Sequence, residues 1–296
     1  MPSALRSVSP AIERTEAILF APFDLGKWFV LGFSAFLADL GGGFNFNWRG
    51  MKDELPDGIH QWIGDHLPLV IALGIVLFFA VLALAILFLW LSSRGAFMFL
   101  DCVVRNRAEV QEPWRRFRSA GNALFWFQFQ VGLAAMLAFL VLGGLLIGVP
   151  AWMFSTNALR LPFAVLSLVL GGLLTLAALL AILLFFAILH DFVVPIMYRE
   201  GNSPQAALAL FRTTLLPGQG TALARFYGLK VALGFGAAVI AIVAGCLSCC
   251  LGFLPYLSSV LTLPISVFFR AYSLDFLKQL DPGRDLFAEA SAAGEA

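Results

Sequence analysis

The residues that could do chemistry are few. Asp39 is the one carboxylate inside a long apolar stretch of the first fifty residues. An ionisable group in a membrane is costly and is often an ion or proton ligand, but Asp39 stands just before Gly41, Gly42 and Gly43, where it could reach an interface. His190 and Asp191 form a neighbouring imidazole–carboxylate pair with Pro195 after them. Such a pair could relay protons, although adjacent residues on a helix point to different sides, as they would at a plain helix end. Cys246, Cys249 and Cys250 contain a Cys-x-x-Cys, a spacing used by redox dithiols and zinc sites. No nearby fourth ligand completes a zinc set, so small inert thiols between Gly245 and Gly252 are the plainer reading, with a disulfide as the next. Gly41–Gly43 lack the Lys and Ser/Thr of a phosphate loop. No nucleophile elbow or zinc-protease pair occurs, and the sequence calls for no cofactor.

A second group of residues suits binding rather than catalysis. Arg105, Arg115, Arg116, Arg118, Arg199 and Arg212 lie in two polar stretches that adjoin apolar ones, with Trp114 and Phe117 among them. Arginines so placed meet anionic lipid headgroups, each worth on the order of 1 kcal/mol. Membrane anchoring accounts for them without nucleic acid.

The elements that must position these residues are membrane helices. Of 296 residues, 60% are hydrophobic and 12% charged, where soluble domains run at about 45–50% and 25%. The fold class expected is all-α, a polytopic transmembrane bundle. Spans are expected near 27–43, 67–93, 123–150, 161–189, 230–252 and 255–274. Residues 1–26 read as an amphipathic surface helix opened by Ser9-Pro10, with Val8, Ile12 and Leu19 on one face. Residues 281–296 read as a cytoplasmic tail without structure.

Charge orients the bundle. With 1–27, 94–122, 190–230 and 270–296 inside, every Lys and Arg except Arg49, Lys52 and Arg160 is cytoplasmic. That partition needs a crossing before residue 44, puts both ends of the chain inside, and suits the cytoplasmic membrane of a prokaryote. At an offset of 94, Leu67, Pro68, Arg105, Gln111, Phe117 and Arg118 match Leu161, Pro162, Arg199, Gln205, Phe211 and Arg212. A parallel internal repeat follows, of the kind transporters use with a site at the repeat interface. Any membrane protein built of helical hairpins also looks repetitive.

Three stretches carry a family resemblance: Pro22-Phe23-Asp24-Leu25-Gly26-Lys27-Trp28, then Arg94-Gly95-Ala96-Phe97 leading to Val103-Val104-Arg105-Asn106-Arg107, then Phe269-Arg270-Ala271-Tyr272-Ser273-Leu274. Together they resemble a family of uncharacterised six-helix membrane proteins of bacteria and archaea, and more loosely the membrane domain attached to some glycerophosphodiester phosphodiesterases. The resemblance implies the fold and the bilayer and brings no active residues. The phosphodiesterase catalytic domain is absent from this sequence, so that activity does not follow.

The expected function is therefore that of a non-enzymatic integral membrane protein in transport, in lipid handling or as an accessory subunit. A membrane-embedded lipid- or redox-active enzyme is the alternative. The expected partners are the bilayer, anionic headgroups, and another membrane protein or a second copy of the chain.

Overall fold

The computed structural model describes residues 2–40, 66–156, 161–247 and 255–294. Among these residues the chain is all helical. Four helices are long and apolar enough to cross a membrane. They are α3 (Leu67–Arg105), α5 (Arg118–Thr156), α6 (Leu161–Ile188) and α9 (Gly220–Leu247). α6 passes through a π-turn (Leu189–Val193) into α7 (Val194–Glu200). The shorter helices are α1 (Val8–Leu19), α2 (Leu25–Asp39), α4 (Gln111–Arg116), α8 (Pro204–Leu210), α10 (Pro255–Leu261), α11 (Leu263–Leu280) and α12 (Leu286–Gly294).

Burial divides the molecule into two regions. In α3 every buried side chain lies between Ser92 and Val104; Leu67 to Leu89 lie on the surface, with Leu77 and Phe78 exposed by 64% and 63%. Along the run of α6, the π-turn and α7, burial begins at Leu189 and continues to Met197. We call the packed region the base and the projecting halves of the four long helices the palisade. From Leu67 to Leu91 α3 alone extends about 37 Å at 1.5 Å per residue, enough to cross about 30 Å of hydrocarbon. A monomeric soluble protein does not expose so broad an apolar surface. The palisade therefore has the length and polarity that suit a membrane.

Local sequence explains how the base closes. Asp24 caps α2 by accepting from the Gly26 N–H at 2.8 Å, and Ser203 caps α8 by accepting from Ala206 at 3.3 Å. α2 runs antiparallel to the lower part of α3: Lys27 donates to Asn106 at 2.7 Å, and Ser92 donates to the Ala38 carbonyl at 2.7 Å. Gly95 lets the two backbones meet, since a Cβ there would come within 2.6 Å of Leu37 and Ala38. In α1, Ala11, Thr15, Ile18 and Leu19 face inward against α11, and Arg14 pairs with Asp275 at 3.4 Å.

Several sequence expectations change here. α1 begins at Val8 with Ser7 before it, so Ser9-Pro10 lies inside the helix, and Ile12 is 53% exposed rather than on the buried face. The inward stripe starts from Ala11 because packing on α11 selects that face. Arg94 is no loop charge. α3 continues straight past Ser93, and Arg94 is buried, donating to Asn122 at 2.9 Å with its guanidinium 4.2 Å from the Trp90 ring and 5.1 Å from that of Trp114. The tail carries α12, anchored by buried Leu286. Within 27–43, the described part is residues 27–40, which continue α2 (Leu25–Asp39) and pack in the base.

Candidate functional site

Where base and palisade meet, the six longest helices and the π-turn line a half-open cavity of about 720 Å³. Its polar wall is made by Asp39, Ser92, Gln128, His190, Asp191, Lys230, Ser266 and Arg270. Its apolar wall includes Leu89, Gly132, Leu183, Phe186 and Ile265, drawn chiefly from the palisade side. Charge and hydrocarbon thus face one another across one space.

The π-turn sets the central geometry. Its wider backbone places His190 and Asp191 toward different partners while both still line the cavity, and such turns recur at functional sites. Asp191 is buried and accepts from Lys230 Nζ at 2.6 Å on both oxygens and from Ser273 Oγ at 3.0 Å. A carboxylate so surrounded is fully paired. The His190 ring meets Gln128 Nε2 at 3.2 Å through its Nε2, and Gln128 in turn accepts from Ser93 at 2.9 Å. The ring nitrogen that carries the proton is set by this contact.

Arg270 differs from its neighbours. Its Nη1 donates to the His190 carbonyl at 2.8 Å, and its guanidinium lies 5.8 Å from the Phe99 ring. Among the described residues no carboxylate lies within ion-pair distance of it, although it feels the charges of Asp191 and Asp39. A guanidinium has five N–H donors. One donates to protein among the described residues, and the side chain lines a cavity with one hydrocarbon wall. Asp39 is exposed at the rim.

Three sequence candidates, Asp39, His190 and Asp191, are brought together here. Cys246 is exposed and free and does not line this cavity, and Cys249 and Cys250 lie outside the described residues. Arg115, Arg116, Arg118, Arg199 and Arg212 are exposed on the base, and Arg105 is half-buried beside Asp101 at 3.2 Å. Sequence reasoning missed Gln128, Lys230 and Arg270. One signal was present: Lys230 and Arg270 are the two charges that bracket the charge-free run 231–269. Among the described residues no three His, Cys, Asp or Glu side chains gather as a metal site.

A family model for a family of unknown function, DUF7544, matches residues 2–255. The chain belongs to that family. The match spans the α1 to α9 part of the base and palisade and carries no link to the phosphodiesterase membrane domains. No curated protein and no solved structure matches the chain.

Proposed function

We propose that this DUF7544 protein binds an anionic amphiphile, a lipid or a lipid-like molecule, in the cavity and hands it on between bilayer and base. The observation that carries this reading is Arg270: a cation with most of its donors unspent, facing a cavity whose opposite wall is hydrocarbon. An anionic head on Arg270 with its chain along Leu89, Leu183 and Phe186 would satisfy both walls. Lys230 is already committed to Asp191 and serves to hold the π-turn.

The protein works as a multi-pass protein of a prokaryotic cytoplasmic membrane with the base, and both ends of the chain, on the cytoplasmic side. Six passes are supported by where the described segments end. Leu40 packs against Met98 in the base, whereas Leu67 begins α3 at the far end of the palisade. Leu247 ends α9 at the far end, whereas Tyr256 of α10 donates to the Phe29 carbonyl in the base. The internal repeat is supported by paired features. α3 ends on left-handed Asn106 and α7 on left-handed Gly201. Phe117 stacks on Phe97 at 5.8 Å, and Phe211 stacks on Phe192 at 5.3 Å.

Native mass spectrometry of the protein extracted with its surrounding lipid tests the binding reading. Wild type should carry a reproducible anionic lipid mass that Arg270→Gln loses and Asp39→Asn keeps. Equal retention by Arg270→Gln at unchanged thermal stability would sink it. For topology, a Cys placed at Gly58 should react with an impermeant reagent outside intact cells and one at Ser203 should not. The opposite pattern would reverse the orientation.

A further inference from the structure

A second cavity, of about 430 Å³, opens on the outer face of the base, away from the first. Arg105, Arg107, Arg116 and Arg199 line it, and Glu289 of α12 is the one carboxylate in its lining. Glu289 Oε1 accepts from Arg199 Nε at 2.8 Å. Arg105 leans on Asp101 from behind, with its Nε at 3.2 Å, and Arg107 reaches Glu109 and Glu112 at 3.7 and 3.5 Å. Arg116 has no ion pair among the described residues and only the Phe117 ring within 5.4 Å. The lining thus holds four cations and one carboxylate, and while Arg105 and Arg107 also reach carboxylates outside it, Arg116 reaches none among the described residues.

The carboxylate is delivered by a helix that the base holds through its neighbouring side chains. Leu286 is buried in the core, and Arg14 lies 3.6 Å over the Phe287 ring. Glu289 itself is 45% exposed at the end of a long side chain, so it can leave Arg199 without moving α12. Beside it Ala290 leaves the space open. Guanidinium forks fit tetrahedral phosphoryl oxygens two at a time, and a dianion in place of Glu289 could engage the unpaired Arg116 together with Arg199, which one carboxylate does not.

We infer that this cavity is a binding site for a phosphoryl group on the base, occupied at rest by Glu289 as an internal substitute. The same chemistry is offered by a soluble phosphorylated molecule and by a phospholipid headgroup. Binding would release Arg199 from α12, giving the base a ligand-sensitive contact independent of the Arg270 cavity.

The test is calorimetric titration of pyrophosphate into the full chain in a phospholipid-free detergent at fixed ionic strength. Affinity should rise about tenfold in Glu289→Gln and fall about tenfold in Arg116→Gln combined with Arg199→Gln. The gain in Glu289→Gln cannot come from misfolding. In parallel, nanodiscs of phosphatidylglycerol or phosphatidylcholine are analysed by native mass spectrometry. Pyrophosphate binding that is undiminished by phosphatidylglycerol assigns the site to a soluble ligand. Phosphatidylglycerol retention that depends on Arg199, but not on Arg270, assigns it to a headgroup. Pyrophosphate binding indifferent to Glu289→Gln, or neither kind of binding in any variant, overturns the proposal.

Discussion

The base and the palisade of this protein contain similar residues under opposite rules. Phe226 in the base is completely enclosed, stacked on Tyr272 at 4.8 Å and on Phe276 at 4.4 Å. Phe235, nine residues further along the same helix α9, is 74% exposed. The base buries its apolar side chains against protein, so their shapes and partners matter. The palisade leaves its side chains uncovered by protein, so their polarity matters more than their shape. Without a hydrophobic driving force between helices in lipid, close packing there is optional.

The largest effect expected from this contrast is at the boundary. Lys230→Met leaves the buried Asp191 carboxylate without its cation, a loss of about 3–5 kcal/mol, seen as a large drop in thermal unfolding temperature in detergent. Pairing it with Asp191→Leu should restore much of that, and a double variant as unstable as the single one would show that the pair does not act as a unit. Phe226→Ala should cost about 3–5 kcal/mol as a cavity in a packed core, while Phe235→Ala stays within about 0.5 kcal/mol. Equal losses would mean that a second chain covers the palisade.

The contrast can also be broken with charge. Leu77 and Leu5 are exposed by 64% and 73%, one in the palisade and one in the base. Leu77→Arg should oppose insertion by about 2.5–3.5 kcal/mol, lowering the yield of membrane-inserted protein, and Leu5→Arg should not. If both insert equally, the palisade does not lie in hydrocarbon. The smallest effect belongs to the edge of the base. Asp281 is held below its ordinary carboxylate range by the hydrogen bond from Arg284 at 2.9 Å, with help from the Gly283 N–H. Being depressed in the folded protein, it contributes stability that is present above its unfolded pKa and lost as pH falls below it. Asp281→Asn should remove that acid-side dependence, with a difference of about 1 kcal/mol or less at neutral pH for a half-buried pair at the surface. An unchanged pH profile of unfolding would show that the bond carries no weight.

The palisade was legible because a charge-free run of about 25 residues leaves few alternatives, and the Leu67-Pro68 and Leu161-Pro162 starts both stand at helix N-termini. The base was less legible. A charge count places Arg94, Lys230 and Arg270 on the cytoplasmic side because it treats every cation as solvated, yet each is held by partners distant in sequence, at Asn122, Asp191 and His190. Asp39, His190 and Asp191 were recognised singly. That they share one cavity depends on α2, α11 and the π-turn meeting, and no local spacing encodes it. The stripe of α1 failed for the same reason: its hydrophobic spacing allowed two faces, and α11 chose the one with Ala11.

One contact carries a consequence for biogenesis. The backbone N–H of Ser3 and the hydroxyl of Ser7 are both tied to the Gln279 side chain, at 2.7 and 2.8 Å. α1 therefore waits, without its partner, while the ribosome makes every long helix. Insertion of the palisade can proceed helix by helix, but the base can be assembled only after α11 has emerged. A chain stalled before Leu263 would be threaded into the bilayer with its polar cavity unsealed, a ready substrate for membrane quality-control proteases.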